Sequence, residues 1–242
     1  KMQSRSLRDY LVGAAAIAIA IPTVLSMVIL ARVVERNQRR VEAERVQQLA
    51  QGAASTVSGI MNERMAGLVA AARQLGGGAS VDADLAQQIL DAAGPARAAF
   101  ITMLVTDSVG NFVAGYAADP AVVASLRRDG FNVADRDYFR VPRETRSVYV
   151  SEVFIGRGFG RDRITAMSAP IFGPQGEFLG VVEGSMATNL LQEFLGAVPE
   201  GHEVLLLSAS GQIVVWSDTA QPPAMERIEL SWGRVLSAVP ID

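Results

Sequence analysis

The stretch NVADRDYFR, residues 132–140, sets Arg136 between Asp135 and Asp137 and follows it with Tyr138 and Phe139. A guanidinium offers a planar fork that fits a carboxylate. The stretch therefore reads either as a ligand-grasping loop or as a polar turn in which Arg136 pairs with Asp135, Asp137 or Asp162. A second cluster, GRGFGRDR at 156–163, carries Arg157, Arg161 and Arg163 among glycines. A phosphate cradle would need a strand-to-helix turn there, but a strand pattern follows. A flexible hairpin tip rimmed by arginines and able to dock on a partner fits better. Little else could do chemistry. The chain has no cysteine, hence no thiolate metal site and no disulfide. Its single histidine, His202, opens an apolar run and reads as a loop residue. No nucleophile–base pair, metal cluster or carboxylate pair stands out, so an enzyme is the weakest reading and no cofactor is implied. Lys1 is the only lysine, and no basic block is long enough for nucleic acid.

These residues must be positioned by a chain of 242 residues with net charge −3, half of it apolar, enough for one large domain or two small ones. Leu11 to Ala31 is 21 residues without a charge. As a helix it would span roughly 30 Å, the thickness of a bilayer core. Pro22 inside it predicts a kink, which membrane helices tolerate. RVVERNQRR follows, with no small-residue cleavage site, so the segment reads as an uncleaved anchor over residues 11–32. Membrane lipid is then a partner. Small residues Gly13, Ala14 and Ala18 would let a neighbouring membrane helix approach closely. Lys1, Arg5 and Arg8 precede the span and Arg32, Arg36, Arg39 and Arg40 follow it, so the positive-inside rule does not choose an orientation.

Residues 33–75 read as one long stalk helix. Val46, Ala50, Ala53, Val57, Met61, Met65, Leu68, Ala72 and Leu75 recur at spacings of three and four on one face. GGG at 76–78 ends it, and Ser80–Ala93 predicts a short amphipathic helix capped by Ser80 or Asp82. Three hairpins follow: 100–116 around Gly110, 164–187 around Gly176 and 203–218 around Gly211. The first and third align, LVTDSVGNFVAG over LLLSASGQIVVW, which predicts two related lobes with the second starting near Gly201.

A membrane helix, a long stalk helix, the DSVGNFV hairpin, RDYF, SEVFIG and APIFGPQGEFLGVVEGSM occur in that order. Over about residues 33–218 this resembles the double Cache (PAS-like) extracytoplasmic sensor domain of bacterial chemoreceptors, histidine kinases and cyclases. The resemblance implies an α+β fold: an N-terminal transmembrane helix, a long stalk helix, a PAS-like antiparallel-sheet Cache lobe at 76–200 and a second, membrane-proximal lobe from 201. Only residues 201–242 stand for that second lobe, so a partial lobe is expected. The resemblance also implies a cytoplasmic N-terminus over 1–10, a single pass through a bacterial inner membrane and the bulk in the periplasm.

In amino-acid-binding members, an arginine followed by Trp-Tyr holds the ligand carboxylate. A tyrosine lies on the next strand, and an aspartate on the last strand pairs the ammonium. Arg136 falls on the arginine, Tyr138 and Phe139 on the Trp-Tyr pair, Phe154 on the tyrosine and Ser185 on the aspartate. Tyr149 is a further candidate for the lining. With Ser185 in place of the acid, the ammonium's counter-charge is missing from this alignment. Free amino acids are then expected to bind weakly, while a small carboxylate held by Arg136 remains open. Two functions follow. One is a degenerate Cache-like module serving as an interaction subunit beside other integral membrane proteins, in a photosynthetic or respiratory complex. The other is the input domain of a transmembrane signalling receptor that binds a small carboxylate.

Overall fold

The computed structural model describes residues 7–93, 100–190, 204–208 and 212–216. His202, the turn at Gly211 and the prolines at 222, 223 and 240 lie outside the described residues. The chain divides into two compact units at Ala50/Gln51, described in turn.

The first unit is helical. Helix α1 runs Leu7–Leu75, with Pro22 inside it. From Ala18 it is long and apolar enough to cross a membrane, with a mean hydropathy of 1.9 over its most apolar window. Ile19 and Met27 are 71% and 73% exposed. Apolar side chains bared to this extent want lipid or a partner around them. Ala18 is exposed as well, while the side chains of Gly13 and Ala14 lie outside what the structure describes. Further on, exposed Glu35–Arg39 and Arg40–Glu44 pairs at 2.6 and 2.9 Å fit a solvated stretch.

The second unit begins with the rest of α1 and is built around one antiparallel sheet. Helix α2 (Ala83–Ala92) is capped by Asp82, whose carboxylate accepts from the Leu85 N–H at 2.7 Å. The strands are β1 (Thr102–Thr106), β2 (Phe112–Ala117), β3 (Tyr149–Val150), β4 (Phe154–Ile155), β5 (Arg163–Phe172) and β6 (Phe178–Ala187), with helices α3 (Pro120–Arg128) and α4 (Asp137–Thr145) between β2 and β3. The sheet order is β2-β1-β6-β5-β3, with β4 also on β5. Period-2 alternation splits the sheet into two faces. Met103, Val105, Met167, Ala169, Val182 and Met186 pack with Leu68, Ala72 and Leu75 of α1 and Leu90 of α2. Leu104, Ala166 and Val181 point the other way, toward Val133, Tyr138 and Phe139. The second face carries the cleft described below.

The first and third hairpins, which align in sequence, share the same hydrogen bonds. β7 (Leu205–Leu207) and β8 (Ile213–Trp216) form a separate two-stranded sheet. Its register slips between Leu206 and Leu207, as the β1–β2 register slips between Val105 and Thr106. In one turn the Asp107 N–H donates to the Asn111 carbonyl and the Asp107 carboxylate accepts from the Asn111 N–H, at 3.0 and 2.8 Å. In the other, Ser208 and Gln212 repeat both bonds at 2.9 and 3.1 Å.

The β1 bulge leaves the Thr106 hydroxyl to accept from the Val181 N–H at 3.0 Å. Here Gly180 adopts φ 150°, and a Cβ on it would stand 2.0 Å from the Thr106 carbonyl oxygen. Backbone cannot step aside as a flexible side chain can. Gly180→Ala is therefore expected to cost about 1–3 kcal/mol, read as a lower urea midpoint. An unchanged midpoint would show that the β1–β6 seam yields.

Candidate ligand-binding site

Arg136 owes its place to the first hairpin. Gly110 turns with φ 86°, and the Ala134 backbone N–H lies 2.8 Å from where its Cβ would be. The Gly110 carbonyl accepts from the Val133 N–H at 2.9 Å. Asn132 then braces the loop, its side-chain amide donating to Asn111 Oδ1 at 2.8 Å and to the Val109 carbonyl at 3.1 Å. Arg136 follows as the extended residue before α4, without a side-chain cap bond. Asp137 favours the helix N-terminus electrostatically, and Tyr138, Phe139 and Pro142 form the buried face of α4.

The cleft over the second sheet face is narrow and partly open to solvent, with a cavity volume of about 30 Å³. Its floor is Thr102 and Leu104 of β1, Ile164 of β5, and Glu183 and Ser185 of β6. Its walls are Arg136, Tyr138, Phe154 and the loop 156–162. Tyr138 stacks on Phe154 at 6.1 Å, and the Arg136 guanidinium lies 5.6 Å from the Phe154 ring centre.

The sequence left the partner of Arg136 open. Asp137 pairs with Arg140 at 2.7 Å, and Asp135 accepts two bonds from Arg157 at 2.8 and 3.1 Å. Among the described residues Arg136 has no ion pair. The bond from Arg157 holds the Asp135 carboxyl below its ordinary range, and Arg157 is raised in turn.

The expectation that the cleft lacks an acid is corrected. Glu183 is 1% exposed, two residues before Ser185 on the same strand face. Its carboxylate accepts from the Ser185 hydroxyl at 2.6 Å. The longer side chain thus brings its carboxyl group within hydrogen-bonding distance of the hydroxyl at the position the alignment gave to the acid. Burial pushes the Glu183 carboxyl up to about 8, against the opposing Ser185 bond. The Tyr138 hydroxyl is pushed up by burial and then by Glu183, so it stays neutral.

Of the six residues singled out for a ligand, Arg136, Tyr138, Phe154 and Ser185 line the cleft. Phe139 and Tyr149 do not. Phe139 is 1% exposed and meets Phe178 edge-on at 5.7 Å in the core, because the helical turn rotates it away from Tyr138. Tyr149, on β3, opposes Ser168 of β5 and packs against the same cluster. The arginine-rimmed tip is the β4–β5 connection, as its pattern predicts. Arg157, however, turns to Asp135 and the cleft wall, because that carboxylate is within reach of its fork. Arg161 is exposed, and Arg163 is part-buried in β5. Sequence reasoning missed Glu183 and Thr102, and named Asp162 only as a partner for Arg136. The signal for Glu183 was a lone acid inside an apolar strand, in phase with Ser185.

No protein-family model matches the chain, and no curated protein matches it. Solved structures do. The ligand-binding domain of the Pseudomonas aeruginosa PAO1 amino acid chemoreceptor PctC, in complex with GABA, is 23% identical with a TM-score of 0.59, covering 73% of this chain and 77% of that one. The ligand-binding domain of the Pseudomonas fluorescens chemoreceptor CtaA with L-isoleucine is 20% identical with a TM-score of 0.64, over 83% and 78%. That of the P. aeruginosa amino acid chemoreceptor PctB with L-Arg is 16% identical with a TM-score of 0.59, over 76% and 68%. The likeness is one of fold: the chain shares the α+β architecture of these chemoreceptor sensor domains, as the resemblance to the double Cache family implied.

Proposed function

We propose that the body from Gln51 onward is the ligand-sensing input module of a membrane-anchored signalling protein, and that its ligand is a small amino compound bearing both a carboxylate and an ammonium. One observation carries this reading. Arg136, free of any ion pair among the described residues, and Glu183, buried with only the Ser185 hydroxyl for company, line one cleft. A fork for an anion and a desolvated acid for a cation suit the two ends of a zwitterion. The ligands of the similar structures, GABA, L-isoleucine and L-Arg, are of this kind. The apolar stretch of α1 serves as the anchor, with the body in the periplasm and Gly13, Ala14 and Ala18 available to a neighbouring helix. The interaction-subunit reading drew in part on a pocket without an acid, and Glu183 removes that part; the fold shared with chemoreceptor ligand-binding domains favours sensing. The module acts as a binder, in keeping with the ligand-binding domains whose fold it shares.

The full chain in mild detergent, challenged with L-isoleucine, L-arginine and 4-aminobutyrate, tests this. At about a hundred times Kd a ligand adds about 2.7 kcal/mol, so at least one compound should raise Tm by roughly 5–10 °C. Glu183→Gln should lose that rise. No shift with any of the three, or an equal shift in the variant, would refute the reading.

A further inference from the structure

Glu183 is the only acidic side chain buried among the described residues, and no guanidinium pairs with it. The ionisable groups around the cleft are Arg136 just before α4, Tyr138 of α4, and Arg157 and Asp162 of the β4–β5 loop, with Asp135 just behind. Arg157 is committed to Asp135 and Arg136 to the Phe154 ring. Ser168 stands across the β5–β6 ladder from Glu183, fully buried, and its hydroxyl has no hydrogen-bond partner, so it gives the Glu183 carboxyl no bond. Among the described residues the Ser185 hydroxyl is the one donor to that carboxyl. A buried carboxylate with a single neutral donor and no cation is poorly compensated for the water it has lost, which favours its neutral form.

We propose that the empty cleft carries a proton on Glu183 and that a ligand's ammonium displaces it, so that proton concentration is a second input to this sensor. The exchange balances: a neutral carboxylic acid and an ammonium give a carboxylate–ammonium pair and one proton released to solvent. Desolvation drives both halves. A buried carboxylate without a cation is costly, and a buried ammonium without an anion is equally so. The displacement half rests on the amino-compound reading; the proton half does not.

The sign of the pH dependence follows. The unfolded chain releases this proton near 4.5 and the folded chain near 8. Between those values the folded state binds the extra proton, so the empty protein loses stability as pH rises through that window and levels off above it. Ligand affinity moves oppositely. It should rise by up to roughly tenfold per pH unit below about 8 and flatten above.

Infrared difference spectroscopy of the full chain in detergent decides the matter. At pH 6 the wild type should show the carbonyl stretch of a protonated carboxyl, absent in Glu183→Gln and titrating away near pH 8. L-isoleucine added at pH 7 should remove the band, and calorimetry in two buffers of different ionisation enthalpy should count one proton released. A missing band at pH 6 overturns the proposal outright. If isoleucine binds while the band persists and no proton appears, the exchange alone fails. If the band is present but L-isoleucine, L-arginine and 4-aminobutyrate all fail to bind, the amino-compound reading fails and takes the exchange with it.

Discussion

Arg136→Ala is expected to weaken binding of whichever amino compound stabilises the wild type by a hundredfold or more. Truncating one member of a desolvated charge pair costs about 2–5 kcal/mol, and each 1.4 kcal/mol is about a factor of ten. No other arginine can take over, because Arg157 is tied to Asp135 by both arms of its fork. Folding should barely respond. Arg136 holds no ion pair in the described structure, and its stacking over Phe154 is worth about 0.5–1 kcal/mol at a partly exposed site. Arg136→Lys should fall between, since an ammonium keeps the charge and loses the fork. Calorimetric titration beside urea unfolding separates the two effects. Equal affinity in the alanine variant, or an affinity loss matched by a loss of stability, would mean that Arg136 is a structural residue.

Phe139→Ala should do the reverse. The ring is 1% exposed, on the inward face of α4, and meets Phe178 edge-on at 5.7 Å. Removing a fully buried phenylalanine costs about 3–5 kcal/mol through lost transfer energy and the cavity left behind. For a domain of this size that lowers Tm by roughly 10 °C. The cleft lining is untouched, so affinity per folded molecule should stay within about threefold, a free energy well under the core loss. A stable variant that has lost its ligand would restore the sequence-based assignment of Phe139 to the site.

The contrast between these neighbours shows where the sequence informs. DRDYF announced a polar-aromatic element, and Arg136 at its centre was legible as a carboxylate fork. Which of Tyr138 and Phe139 faced the cleft was not. Adjacent residues on a helix point about 100° apart, and nothing local says where the turn begins. Asp82 could be narrowed to the N-cap only together with Ser80; the Leu85 N–H decided between them.

By itself the sequence determined what depends on local pattern. An uncharged stretch of 21 residues made a helix long and apolar enough for a bilayer. A period of three and four made the buried stripe ending in Leu68, Ala72 and Leu75. Gly110 and Gly176 placed two hairpin turns, and the likeness of residues 104–112 to 205–213 foretold one bulged hairpin built twice. Tertiary structure alone decided which charges meet. Asp135, next to Arg136 in the chain, is claimed by Arg157 through space. Glu183 stands two residues from the position that motif alignment examines, yet its carboxylate reaches Ser185. Alignment compares positions along a backbone, whereas a site is made by the ends of side chains. Two residues along a strand are about 7 Å, a gap that a glutamate side chain reaching forward along its own strand can close.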